Sequence, residues 1–219
     1  YAYFIYKRGY IKKLSQLIII GGGLSIQKGI KKNLWEKIGN RFTIGINYSY
    51  KYFQSTCLIC MNYTDFYDTN RKTLKKLPLI VTCSRPHPSK WEENTILINK
   101  NFALSGILAL YVGLLLEPKE IFLLGYDYGG KDNNTHFYQN DINHQGIGKV
   151  VYYNHQGHVE RDFNQFKNTK TKIYNVSPNS NINSFEKIDY QTFFNKLDNV
   201  IINQYELKKE IKKSIGGEK

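Results

Sequence analysis

The sequence predicts a doubly wound α/β domain built on a mostly parallel sheet. Two observations carry that prediction: apolar runs of strand length recur along the chain, and helix-like segments separate several of them. The runs are continuous rather than alternating, the pattern of strands buried on both faces. At 219 residues the chain is long enough for one sizeable domain with its own core.

In order, the strand-length runs are Leu17 to Ile20, Phe42 to Ile46, Thr56 to Met61, Pro78 to Cys83, Thr95 to Ile98, Glu120 to Gly125 and Lys172 to Val176. Helices are expected over Ile26 to Lys37 and Ser105 to Leu116. From Asp127 to Lys170 the chain turns to Asn, Gln, Gly, His and Tyr without clear periodicity. Such a segment reads as a lid or substrate loop, with disorder as the competing reading; its tyrosines call for something to pack against. The tail from Tyr190 reads as two helices, the second ending in "ELKKEIKKSIGGEK". The expected organisation is one domain over 1–188, its lid at about 127–170, and a C-terminal helical appendage over 189–219.

Lysine and arginine number 31 against 18 acidic residues, a formal charge of +13 that favours polyanionic partners. The cations come in short clusters, among them "KGIKK" after the first glycines and "RKTLKK" at Arg71 to Lys76. Each cluster reads as a solvated helix face, or as a site for a nucleotide-activated substrate or a nucleic acid. Cys57, Cys60 and Cys83 sit inside apolar runs, and the one CxxC, "CLIC", has no second pair. That argues for reduced, buried thiols in a cytosolic protein rather than for zinc. The longest apolar stretch, Phe102 to Leu116, falls short of the roughly 18 residues a membrane span needs, and no leader pattern is legible. A cytoplasmic protein without a transmembrane segment is expected.

In open α/β sheets ligands bind beyond the carboxyl ends of the strands, so the residues just after each strand are the ones to inspect. They are Gly21 to Ser25, Asn47, Met61 to Asp65, Ser84 to His87 and Tyr126 to Gly130. In "IIIGGGLS" a strand, a glycine turn and a helix start follow one another, a context in which backbone N–H groups can approach a phosphate. The motif is neither GxGxxG nor a P-loop, so a plain tight turn stays open. Ser105 begins a helix, where it caps the backbone or holds an anionic ligand. His136, His144, His155 and His158 all fall in the irregular stretch, and one of them as general base is more economical than a metal at the HxxH of His155 and His158.

Five stretches, "LIIIGGGLSI", "FTIGINYSY", "FALSGILALYVGLLLEPKEIFLLGYDY", "QGHVERDF" and "KIYNVSPNS", resemble in the same order the motifs of the family-42 bacterial sialyltransferases. They also resemble related phage and archaeal proteins that share a domain with 6-hydroxymethylpterin diphosphokinases and motility accessory factors. The resemblance covers most of Leu17 to Ile188. It implies a Rossmann-like transferase that binds an activated donor, such as a CMP- or UDP-sugar, at the carboxyl edge of the sheet. It further implies that Gly21, Gly22, Gly23 and Ser25 form the donor turn, Asn47 holds the nucleotide, and Ser105 and Gly106 start the second binding helix. Tyr128 matches the first lid tyrosine and His158 the general base. The chain departs from the pattern at Leu24, where the family usually has proline, and at Asn62, where phage relatives tend to carry an aspartate.

The donor-binding set is then Gly21, Gly22, Gly23, Ser25, Asn47, Asn62, Ser105, Gly106 and Asp127, with His158 and Tyr128 in the catalytic roles and no metal required. The turn amides, Tyr128 and nearby lysines would stabilise the departing phosphate. The expected activity is transfer of a sugar to a glycan or, given the charge, to modified DNA. A pterin-type diphosphokinase using magnesium and ATP is the alternative, with Asp65, Asp68 or Asp127 supplying the carboxylate; a catalytically silent nucleotide- or nucleic-acid-binding module is the third. The related sialyltransferases suggest a homo-oligomer.

Overall fold

The computed structural model describes residues 14–61, 66, 68–77, 79–83, 94–98, 100–128, 136–138 and 156–205. Each of the seven apolar runs contains a strand: β1 (Gln16–Ile20), β2 (Thr43–Ile46), β3 (Cys57–Ile59), β4 (Ile80–Cys83), β5 (Thr95–Ile98), β6 (Glu120–Leu124) and β7 (Lys172–Asn175). A two-residue β8 (Glu186–Lys187), too short to show as an apolar run, extends the same sheet. The order is β5-β4-β3-β2-β1-β6-β7-β8 and every pairing is parallel. This is the doubly wound, Rossmann-like architecture the sequence predicts.

The helices are α1 (Ile26–Ile30), α2 (Leu34–Ile38), α3 (Asp68–Leu74), α4 (Ser105–Leu115), α5 (Gln156–Asn164) and α6 (Tyr190–Lys196). The single helix expected over Ile26 to Lys37 is two, because Asn33 adopts a left-handed backbone, φ 60°. That conformation breaks the ladder, and asparagine tolerates it better than most residues. Inside the stretch expected to be irregular, α5 forms and buries Val159 and Phe163, one helical turn apart. The second helix expected in the tail lies outside the described residues beyond Tyr205.

Parallel register puts Ile18, Gly45, Leu58 and Ile80 on one face of the sheet. On that face α1, α2 and α6 pack over β1 and β6 through Ile26, Leu34, Ile38 and Phe193, while α3 packs over β3 and β4 through Leu74. Between the two groups runs a polar seam at β2. There Thr43 and Thr56 exchange backbone-to-hydroxyl hydrogen bonds (3.2 and 3.1 Å), and the Ser49 and Ser55 hydroxyls lie over Gly45. The other face is one continuous apolar cluster in which α4 and α5 cover Leu17, Ile19, Ile44, Ile59 and Ile121.

Beyond α6 the chain crosses the amino edge of the sheet as a strap. Arg41 Nη1 reaches Asp198 at 2.8 Å, Ile202 N–H donates to the Asn40 carbonyl at 2.7 Å, and Gln204 Nε2 donates to the Arg41 carbonyl at 2.6 Å. No helix among the described residues is long and apolar enough to cross a membrane. Phe193 is fully buried, with its ring 5.0 Å from that of Phe122. Phe193→Ala should therefore lower unfolding stability in urea by about 3–5 kcal/mol; a loss below about 1 kcal/mol would mean that α6 contributes nothing to the core.

Candidate functional site

The strand order reverses between β1 and β6, and that reversal opens a crevice at their carboxyl ends. The glycine turn leaves β1 on one side of it, and Gly125 to Tyr128 leave β6 on the other. The two segments are tied together closely. Gly21 N–H donates to the Leu124 carbonyl (2.7 Å) and Gly23 N–H to the Gly125 carbonyl (2.9 Å). Gly125, at φ +68°, supplies the reverse bend that brings its carbonyl into place.

These bonds change the role expected of the turn. Of the amides assigned to a donor phosphate, those of Gly21 and Gly23 already hold β6. The start of α1 is also engaged: Ser25 N–H donates to Asp127 Oδ2 at 2.7 Å. Asp127 Oδ1 accepts the Ser177 hydroxyl at 2.6 Å, and Ser177 Oγ lies 2.6 Å from Ser25 Oγ. Because the Ser177 proton is committed to the carboxylate, the Ser25 hydroxyl is left to donate to Ser177. A phosphate placed at the start of α1 would face the Asp127 carboxylate. The hydroxyl of Tyr190 is buried beside this network; burial foremost, and then the Asp127 charge, raise its pKa well above the ordinary tyrosine value, while Ser25 acts in the opposite direction.

The β2 side of the crevice is aromatic. Asn47 begins a 3-10 helix (Asn47–Lys51) with a left-handed backbone, φ 48°, and its Oδ1 is buried without a hydrogen-bond partner. A buried orphan acceptor and a strained backbone at one residue both call for an explanation, which a ligand would provide. Next to it Tyr48 and Tyr52 pack on Tyr138 with ring centroids 5.8 and 6.2 Å away, and His136 stacks on Tyr138 at 5.1 Å. Phe137 N–H donates to the Gly22 carbonyl at 2.8 Å, and the His136 ring and Tyr138 hydroxyl crowd the space a Gly22 side chain would fill. The residues 136–138 therefore sit over the glycine turn.

On the opposite side Ser105 is the first residue of α4 rather than its cap. Leu104 is the N-cap, in extended conformation, and no side chain caps the helix. Gly106 accepts the buried Tyr126 hydroxyl at its carbonyl (3.0 Å), and the Tyr128 hydroxyl occupies the space a Gly106 side chain would fill. Burial raises the Tyr126 pKa, so this phenol stays protonated. Tyr128, like Asn47, is left-handed, with φ 44°, and its ring packs 5.3 Å from Phe163 of α5. His158 lies on α5, exposed, one residue before Val159, which is buried with Phe163 in the core.

The structure thus gathers Gly21, Gly22, Gly23, Ser25, Asn47, Ser105, Gly106, Asp127 and Tyr128 along one edge of the sheet. Asn62, Asp65, His144 and His155 lie outside the described residues, and Asp68 opens α3. No family model, curated protein or solved structure matches this chain.

Among the residues of the site not singled out from sequence are Ser177, Tyr190, the aromatic Tyr48, Tyr52 and Tyr138 and, among the histidines, His136. Ser177 follows β7, so the rule of inspecting residues after each strand reaches it once it is applied to the last long strand. The cysteines take no part. All three are buried, and burial pushes the Cys60 thiol up to about 12 and Cys57 in the same direction. Cys57 and Cys60 are therefore protonated and unreactive.

A Cβ at Gly23 would stand 2.6 Å from Asp127 Cγ and 2.6 Å from the Gly125 carbonyl oxygen. Gly23→Ala should force the carboxylate off Ser25 and destabilise the fold by about 1–3 kcal/mol, measured by chemical denaturation. An unchanged midpoint would show that the contact is slack.

Proposed function

We propose that the chain is a transferase that binds a nucleotide-activated sugar in the crevice at the strand-order reversal and passes the sugar to a hydroxyl acceptor. The observation that carries this reading is convergence. Four stretches far apart in sequence, Gly21–Ser25, Asn47, Ser105–Gly106 and Asp127–Tyr128, meet at the one edge where open α/β sheets bind ligands. The strained, orphaned Asn47 and the strained Tyr128 stand on its two sides.

On this reading the acceptor oxygen forms a bond to the donor sugar carbon as the carbon–oxygen bond to phosphate breaks, and the electron pair leaves with the phosphate. The acceptor proton passes to an imidazole. His158 keeps that role, exposed on α5, the helix whose Phe163 packs on Tyr128; His136, against Gly22, is a second imidazole at the turn. Asp127 suits a ribose or sugar hydroxyl better than a phosphate, since its charge repels the latter. The phosphate then falls to the Tyr128 side and to lysines.

A specific observation favours a second reading, the catalytically silent binding module. His136 and Tyr138 crowd the glycine turn, and Asp127 takes the start of α1. Thermal-shift measurements against CMP, UDP, GDP and ATP, each with and without magnesium, separate the readings. Metal-independent stabilisation by one of the first three supports the transferase, a shift only with ATP and magnesium supports the diphosphokinase, and no shift favours the silent module.

With a donor in hand, His158→Ala should cut turnover on the order of 10²- to 10⁴-fold while donor affinity holds. If turnover survives there and collapses in His136→Ala, the base is His136. Asn47→Gly keeps the left-handed backbone and deletes the carboxamide. It should leave stability within about 1 kcal/mol of the parent and abolish the nucleotide-induced shift; a retained shift would remove Asn47 from the donor site.

A further inference from the structure

The lysines of the described residues are distributed unevenly between the two sides of the sheet. On one side α1, α2 and the turn between them carry Lys28, Lys31, Lys32 and Lys37 against a single acid, Glu36. On the same side α3 and its following turn carry Arg71, Lys72, Lys75 and Lys76 against Asp68. On the other side α4 has no charged residue, and α5 with its following turn has Arg161 and Lys167 against Glu160 and Asp162, so the charges there cancel. A general drift of composition toward lysine would load both faces alike.

The α1 lysines also stand where they oppose one another. Lys31 and Lys32 follow Lys28 at the three- and four-residue spacings that bring like charges together on a continuing turn, held here by Lys31 N–H to the Gln27 carbonyl and Lys32 N–H to the Gly29 carbonyl. All four side chains of this group are exposed. The facing groups are Asp189 of α6, near Lys32, and the Phe194 ring, 4.9 Å from Lys37 Nζ. Between the two basic helix groups lie Tyr48, Tyr50 and Tyr52, so cations and aromatic rings alternate across the face.

We propose that this face binds the phosphodiester backbone of a nucleic acid. Fixed cations spread over two helix groups match a repeating anion, whose affinity comes from release of condensed counterions. A lipid surface would call for large apolar side chains that insert. The exposed ones on α1 and just before it, Leu24 and Ile30, are each only 36% exposed. The face adjoins the crevice: α1 begins at the glycine turn, and Asn47–Lys51 follows β2 at the same edge. Resting on the transferase reading, this makes the acceptor a nucleic acid held by α1 to α3, with its reacting group directed at the sheet edge.

The test is fluorescence anisotropy of a labelled mixed-sequence DNA duplex with the full chain over a salt series. The wild-type protein should bind with an affinity that falls steeply with salt. The Lys28→Gln/Lys32→Gln variant should bind on the order of tenfold more weakly, with a log–log salt slope smaller by about 2. Lys167→Gln/Lys170→Gln, beyond α5, should leave both unchanged. Circular dichroism melts verify folding, and Lys31→Gln/Lys37→Gln is an independent second variant.

Equal losses from the α1 and α5 variants would reduce the effect to diffuse charge and overturn the proposal, as would salt-independent or absent duplex binding. Binding to phosphatidylserine vesicles but not to the duplex, lost in the α1 variants, would reassign the face to lipid. Nucleotide-induced thermal shifts are read on the same variants. Shifts kept while duplex binding is lost separate the face from the donor site, and duplex binding without any nucleotide shift retains the face and removes the transferase reading.

Discussion

The edge of the sheet depends on one carboxylate. Asp127 receives an N–H from the start of α1 and a hydroxyl from Ser177, so the ends of β1, β6 and β7 are fastened to one side chain. Its own carbonyl accepts Asn181 N–H at 2.9 Å, which extends the tie into the loop before β8. Around it the glycines let backbone approach backbone without side chains intervening. Hydrogen bonds to a charged acceptor are stronger than neutral ones and directional, so this tie sets the width of the crevice before any ligand arrives. A site built this way has little to gain from an anion at the same point.

The sheet was legible in the sequence because burial on both faces leaves a direct mark, an unbroken apolar run, at the inner strands; the edge strand β5 carries such a run too, although Leu97 on it is exposed. The helices were less so. Nothing local in "KGIKKNLWEK" announces that Asn33 will turn left-handed and split the segment. In "QGHVERDFN" only Val159 and Phe163 are apolar, too few to establish a period although together they anchor α5. The candidate site divides in the same way. Residues that follow a strand could be chosen from the order of elements alone. The partners they take could not, since Ser25 and Asp127 are 102 residues apart and their contact exists only once β1 and β6 are paired. For that reason the bonds from the Gly21 and Gly23 amides to β6 and the residue after it, which clasp the turn in three dimensions, leave no sign in one.

The polar seam over β2 links the two halves of this picture. It separates the apolar cluster under α1, α2 and α6 from the smaller one under α3, and it does so beneath the tyrosines that lie between the two basic groups. The two charged halves of that surface thus rest on separate packing units, and the main core lies on the opposite face. Strain at Asn47 stands at the end of the same strand, where the chain faces the crevice.

The central position of β1 also governs how the chain can be made. One edge of β1 pairs with β2 almost at once, but the other waits for β6, with Gln16 and Glu120 separated by 104 residues. During synthesis the first half emerges as a sheet whose eventual middle strand is still an open, apolar border. Pairings of such long sequence separation form slowly, and an unpaired border can recruit the wrong strand, including that of a neighbouring chain. The cations of α1 to α3 are all made before β6, and the mutual repulsion they add opposes contact between half-made chains until β6 arrives to close the sheet.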